Sequence, residues 1–330
     1  MIMKNEIILA LMQLKGISRK TIMKSFSIEA NKECTIEYMK EILQRAALSD
    51  SRIKRYTEKE IEDAIIKANE IITESKKYDV NIVTFLDDLY PQRLKKISDP
   101  PTVLYYKGDI SFINRQYAVA IIGTRQPTEH GQKIAKNLGE SFGKRKYTVV
   151  SGLAVGCDQY GHEGCLDVHG TTVAVMACGL DIVYPAKNKG LANRILKEGG
   201  CLISEYPIGT KIFKNQLVER DRLQGGLSDG IIVVETAEKG GTLHTVNYAL
   251  EYKRLVGCYN HPSIYLSYKQ TKGNQMLINM KKALPIGNDN ELIEFRKQME
   301  STRFKENSQE GKVVQETIFD FMEKYNGNNI

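Results

Sequence analysis

Apolar residues at Ile7, Ile8, Leu11, Met12 and Leu14 recur close to helical spacing, and the segment Glu58–Ile72 is strongly periodic. Residues 1–85 therefore read as helical. Between the first two apolar stretches lies Leu14-Lys15-Gly16-Ile17-Ser18, followed by Ile22 and Phe26. Two helices around a glycine turn make either a helix-hairpin-helix, whose turn offers backbone N–H groups to a phosphate, or a plain αα-hairpin. Tyr90-Pro91 through Asp99-Pro100-Pro101 reads as a connector, because paired prolines favour extended backbone and stop helices. A short strand follows at Thr102–Tyr106.

From Tyr117 the pattern changes to short, wholly apolar runs separated by helical segments. Ala118–Ile122, Thr148–Val150, Thr172–Met176, Cys201–Ser204, Ile231–Glu235 and Leu255–Tyr259 read as strands. Between them, Glu129–Gly143, Asp158–Val168, Leu191–Glu198, Lys214–Leu227 and Thr242–Tyr252 read as helices. This alternation indicates βαβ units and a parallel sheet, and strands apolar on both faces indicate helices covering both. The fold class is α/β: a Rossmann-like parallel sheet preceded by a small helical module. The expected units are 1–85, helical; 86–283, the sheet domain with its connector; and 284–330, a polar tail with an amphipathic stretch at Val313–Phe321.

Composition narrows the class without naming a function. The 330 residues hold 42% hydrophobic and 26% charged side chains, as in a soluble globular protein. No apolar run is long enough to span a bilayer, and the N-terminus does not pattern as a signal peptide, so a cytoplasmic protein without a membrane partner is expected. Six scattered cysteines include no C-x-x-C pair, which points to buried reduced thiols rather than a metal site or a disulfide scaffold. No metal and no cofactor is expected. A net charge of +7 permits a polyanionic partner.

In an open parallel sheet, ligands bind beyond the carboxyl ends of the strands. Those ends carry Gly123-Thr124-Arg125, Ser151-Gly152 with Gly156, Gly179, Ser204-Glu205, Glu235, and Lys239-Gly240-Gly241-Thr242. Glycine lets the backbone turn sharply and a ligand come close, and a helix opening behind such a loop aims N–H groups at an anion. Each loop alone can equally be a tight βα turn. Arg220 and Arg222 can reach phosphates bidentately, although Asp221 between them also suits a surface ion-pair cluster. His162, four residues after Asp158, can be a base or a satisfied helix-start histidine. The dinucleotide fingerprint, the P-loop, H-E-x-x-H and G-x-S-x-G are all absent from the sequence.

Taken together, these residues resemble the DprA/Smf family, part of a wider superfamily that includes the LOG nucleotide hydrolases. The resemblance runs in order from Tyr90-Pro91, Leu94 and Asp99-Pro100-Pro101 through Gly123-Thr124-Arg125, Ser151-Gly152-Leu153-Ala154, Gly179-Leu180-Asp181 and Ser204-Glu205-Tyr206-Pro207. It continues through Arg220, Arg222 and Gly240-Gly241-Thr242 to Gly273-Asn274. It implies a protein that binds single-stranded DNA, usually as a homodimer, and hands it to a RecA-type recombinase in DNA uptake and recombination, with no catalytic residue. It also implies that Arg125, Arg220 and Arg222 line a basic pocket. Four departures stand out: the family's usual Arg-Asn-Arg reads Arg220-Asp221-Arg222, its Ser-Gly-Ser reads Gly240-Gly241-Thr242, its common Pro-Gly after the last strand reads Asn260-His261-Pro262, and its winged-helix module is not recognisable. They fit a specialised role, for instance in defence against phage. The alternative is a nucleotide sensor or hydrolase of the LOG type, with Glu205 or Glu235 as its acid.

Overall fold

In the computed structural model, residues 2–25, 34–50 and 53–303 are described. The N-terminal helices are Ile2–Gln13, Arg19–Ser25, Ile36–Ser49 and Glu58–Lys77; Phe26, expected in the second of them, and the amphipathic stretch at Val313–Phe321 lie outside the described residues. Among the described residues, nine strands form one sheet: β1 (Asn81–Thr84), β2 (Val103–Gly108), β3 (Ala118–Ile122), β4 (Thr148–Ser151), β5 (Thr172–Met176), β6 (Cys201–Ser204), β7 (Gly230–Val233), β8 (Leu255–Tyr259) and β9 (Leu284–Ile286). Their spatial order is β1-β2-β6-β5-β4-β3-β7-β8-β9. From β6 to β9 every pairing is parallel, while β1 and β2 add an antiparallel edge. The chain is thus an α/β protein with a Rossmann-like sheet and helices on both faces.

Side-chain alternation explains the layers. On one face, Ala118, Ala120, Ile122, Val173, Val175, Ile231 and Val233 meet Leu223, Leu227, Val246 and Ala249 of the helices Lys214–Leu227 and Thr242–Glu251. On the other, Val119, Ile121, Val149, Ile232 and Val234 meet Ala135, Leu138 and Phe142 of Glu129–Gly143 and Cys157 and Cys165 of Cys157–Asp167. Five of the six cysteines are buried, Cys34 is half-buried, and none is paired. Burial raises the pKa of every cysteine thiol, so all stay protonated near neutrality.

Both expected boundaries shift. Residues 81–84, expected to be helical, are strand β1, paired with β2 from Asn81↔Tyr106 to Thr84↔Val103. Asn81–Thr84 is too short to show a period of its own, and the strong helix before it masked the change. The helices before it do not stand apart either. Ile7, Ile8, Leu11, Met39, Ile61 and Ala68 share one core with Val103, Tyr105, Leu166, Met176 and Leu202. At the other end, residues 284–303 are no polar tail. Leu284–Ile286 adds strand β9, and a helix from 289 to the last described residue sinks Phe295 and Met299 into the sheet's second face.

Candidate nucleic-acid interface

β3 and β7 are neighbours, yet the chain leaves them in opposite directions, toward β4 and toward β8. Their following loops diverge and open a cleft at this switch point. The cleft has a volume of about 610 Å³ and is walled by Gly123, Thr124 and Arg125 after β3, by Thr236, Ala237 and Gly240-Gly241-Thr242 after β7, and by helix Lys214–Leu227. That helix presents Lys214, Leu217, Val218, Asp221 and Gln224 at three- and four-residue steps, and Arg220 beside them.

Arg220 is the deepest cation, 5% exposed. Its Nη1 donates to the Val175 carbonyl at 2.8 Å, and its Nε lies 3.2 Å from Asp221 Oδ1. The guanidinium crosses directly over Gly152, where any β-carbon would overlap it. The Gly152 N–H donates to the buried Asp158 carboxylate at 3.0 Å. Burial raises the Asp158 pKa, and Arg220 pulls it back. Gly156, at φ +89°, lets the chain turn tightly under the Thr124-Arg125 backbone and opens helix Cys157–Asp167 without a side-chain cap. Helix Thr242–Glu251 likewise starts at Gly241 without one, so two positive helix ends lie at this edge of the sheet. Arg125 is exposed at the rim.

The expected residues therefore divide. Gly123, Thr124, Arg125, Arg220, Gly240, Gly241 and Thr242 line the cleft. Gly152 and Gly156 shape its floor. Ser151 is buried and donates to the Ile121 carbonyl at 2.7 Å, so it joins strands instead. Lys239 is exposed on the loop, outside the lining.

The convergence expected of three arginines needs correcting for Arg222. Two residues along a helix turn a side chain by roughly 200°, so Arg220 and Arg222 cannot share a face. Arg222 Nη2 donates to Glu205 Oε1 at 2.6 Å, and its Nε lies 3.6 Å from Asp99. Arg19, from the second N-terminal helix, completes this group at 2.9 Å from Asp99 and 3.6 Å from Glu205. Glu205 is thus committed to an ion pair away from the cleft. Glu235 is equally committed. Fully buried, it accepts from the Thr128 N–H at 2.8 Å and from the Thr128 hydroxyl at 2.5 Å, fixing the cap of helix Glu129–Gly143. His162 is buried with Nδ1 2.6 Å from the Thr172 hydroxyl, and burial, with Arg220 nearby, lowers its pKa to about 3. It is a neutral core histidine.

Lys214, Gln224 and His244 also line the cleft and were not singled out in the sequence. The signal for the first two was present: they fall on the helical ladder that runs through Asp221.

Fold and site define an open α/β protein with a cation-lined cleft at its topological switch point. A family model described as DNA recombination-mediator protein A matches residues 81–297. The chain belongs to this family, whose members carry the names DprA and Smf. It is 38% identical over 188 residues to Protein Smf of Synechocystis, covering 56% of this chain and 47% of that protein. It is 36% identical over 197 residues to DNA processing protein DprA of Bacillus subtilis, covering 60% and 66%. The matched part thus spans about half to two-thirds of these relatives. The X-ray structure of DprA from Streptococcus pneumoniae superposes with TM-score 0.71 at 25% identity, covering 88% of this chain and 96% of that one. DNA processing protein A from Helicobacter pylori, whose single-stranded DNA binding mode is described as unique, gives 0.58 at 25% identity over 68% and 96%. Among the described residues, no helix is long and apolar enough to cross a membrane.

Proposed function

We propose that the chain binds single-stranded DNA through the switch-point cleft. The observation that carries this reading is the joining of Arg125, Lys214 and Arg220 with the Gly240-Gly241-Thr242 loop in one cleft. Charged donors and helix N-termini hold phosphates without reading sequence. Recombination-mediator family membership supports delivery of the strand to a RecA-type recombinase, and action as a cytoplasmic homodimer, as part of the same reading. The engagement of Glu205 with Arg222 and of Glu235 with Thr128 weighs for a binder and against a nucleotide hydrolase built on either acid.

Fluorescence anisotropy with labelled oligonucleotides tests it. Single strands should bind more tightly than a duplex of equal length, with little sequence preference. The logarithm of the affinity should fall with the logarithm of salt by about 0.7 for each phosphate neutralised. Equal affinity for duplex, or no binding at low salt, would overturn the reading.

A further inference from the structure

The cleft contains a group that a general phosphate site does not need. Asp221 lines it with its side chain 14% exposed. Its Oδ1 accepts from Gln224 Nε2 at 2.9 Å and lies 3.2 Å from Arg220 Nε. The charged and titratable groups around it are Arg220 and Lys214 on its own helix, Asp158 on helix Cys157–Asp167, His244 on helix Thr242–Glu251, and Arg125 on the loop after β3. Two carboxylates thus stand among three permanent cations. A ligand with one negative charge balances that set. A second negative charge has no cation left to balance it, and its desolvation in this partly buried space, a cost that grows with the square of the charge, outweighs the attraction that remains beside Asp221.

We propose that Asp221 is a specificity-determining residue that sets the charge the cleft accepts, admitting the singly charged phosphodiester of a nucleic-acid backbone and rejecting the doubly charged terminal phosphate of a free nucleotide. The proposal rests on the reading of this cleft as a phosphate-binding site for DNA. It explains how loops suited to either ligand serve one of them. Burial pushes the Asp221 carboxyl up to about 6 despite the pull of Arg220. The group is therefore ionised for most molecules at neutral pH, and mild acid removes the charge.

The test compares adenosine 5′-monophosphate with its methyl phosphodiester, two ligands of nearly the same shape that differ by one charge. Each competes against a labelled single-stranded oligonucleotide on wild type and Asp221→Asn at about pH 8, where the monoester is a dianion. The wild type should favour the diester. Because Coulomb energy scales with ligand charge, a gain of about tenfold for the diester in Asp221→Asn should accompany about a hundredfold for the monoester, inverting the preference. Equal shifts for both ligands, or none, would overturn the proposal. Should neither protein bind the oligonucleotide, the DNA reading falls, and calorimetric titration of the two mononucleotides decides the charge filter by itself. Should Asp221→Asn fail to fold, acid makes the same change in a His244→Gln background, which removes the neighbouring imidazole. There sulfate, a dianion throughout, should gain on the methyl diester as pH falls from about 8 to about 5.5. A constant ratio would count against the filter.

Discussion

At the scale of single residues, the cleft depends on an absent side chain and on a charge held where water is scarce. Gly152 leaves room for the Arg220 guanidinium, so Gly152→Ala must push that group off the Val175 carbonyl. Overpacking of this kind costs about 1–3 kcal/mol. We expect Gly152→Ala to lower the melting temperature and to weaken single-strand binding as strongly as loss of Arg220 itself, in paired melts and anisotropy titrations. Asp221 gives a pH signature of its own. Its folded-state pKa, about 6, stands above its unperturbed value of 3.8. The folded state thus binds that proton more tightly than the unfolded chain does. The resulting stability is fully present below 3.8 and is lost as pH rises through about 6. Asp221→Asn should therefore be more stable than wild type near pH 8, by up to about 3 kcal/mol. That advantage should vanish below pH 3.8. Denaturant unfolding at the two pH values checks the sign, and an advantage independent of pH would show that burial of the charge is not its source.

At the scale of elements, helix Lys214–Leu227 separates two arginines that stand together in the sequence. One face sends Arg220 to the cleft, and another sends Arg222 to Glu205 and Asp99 beneath the N-terminal helices. Arg220→Ala should cost about 1.5–3 kcal/mol of binding, the range for a hydrogen bond to a charged group. That is roughly a ten- to hundredfold loss. Arg222→Ala should leave binding nearly unchanged but leave the buried Glu205 carboxylate only the more distant Arg19, at 3.6 Å, destabilising the fold by up to about 3–5 kcal/mol, as when one partner of a buried pair is removed. Anisotropy and chemical denaturation read the two effects separately, and equal binding losses would place both arginines at the ligand. The sheet itself was legible, because βα alternation writes its period into the chain and strands buried on both faces are apolar throughout. The glycine loops were legible because parallel strands end on one edge. The partners of Glu205, Glu235 and Arg222 were not, since each pairing joins different elements of the fold through contacts that only packing creates. Thr128 and Glu235, for example, lie 107 positions apart.

At the scale of the molecule, the question is whether the N-terminal helices are an appendage or a wall. The proline-rich connector suggests a cut that would release a stable fragment beginning around residue 90–115. The packing argues the reverse. Such a fragment would lose β1 and, with the later cuts, β2, uncovering the antiparallel edge beside β6. Even a cut at residue 81 would strip Ile7, Ile8, Leu11, Met39 and Ile61 from the face formed by Val103, Tyr105, Met176 and Leu202. Each large aliphatic side chain buried there contributes roughly 1.5–3 kcal/mol. A folded domain is stable by only about 5–15 kcal/mol in total. Losing several of these contacts removes a large share of that margin and leaves an apolar face open to association. We therefore expect residues 81–303, although they contain the whole family match and the whole cleft, to aggregate or melt far below the full chain when expressed alone. Adding the N-terminal helices back as a separate polypeptide should restore solubility, because the surface they cover is shaped for them. Size-exclusion chromatography and thermal melts of the fragment, with and without that polypeptide, decide the matter. A monodisperse fragment with an unchanged melting temperature would make the helices an independent module after all.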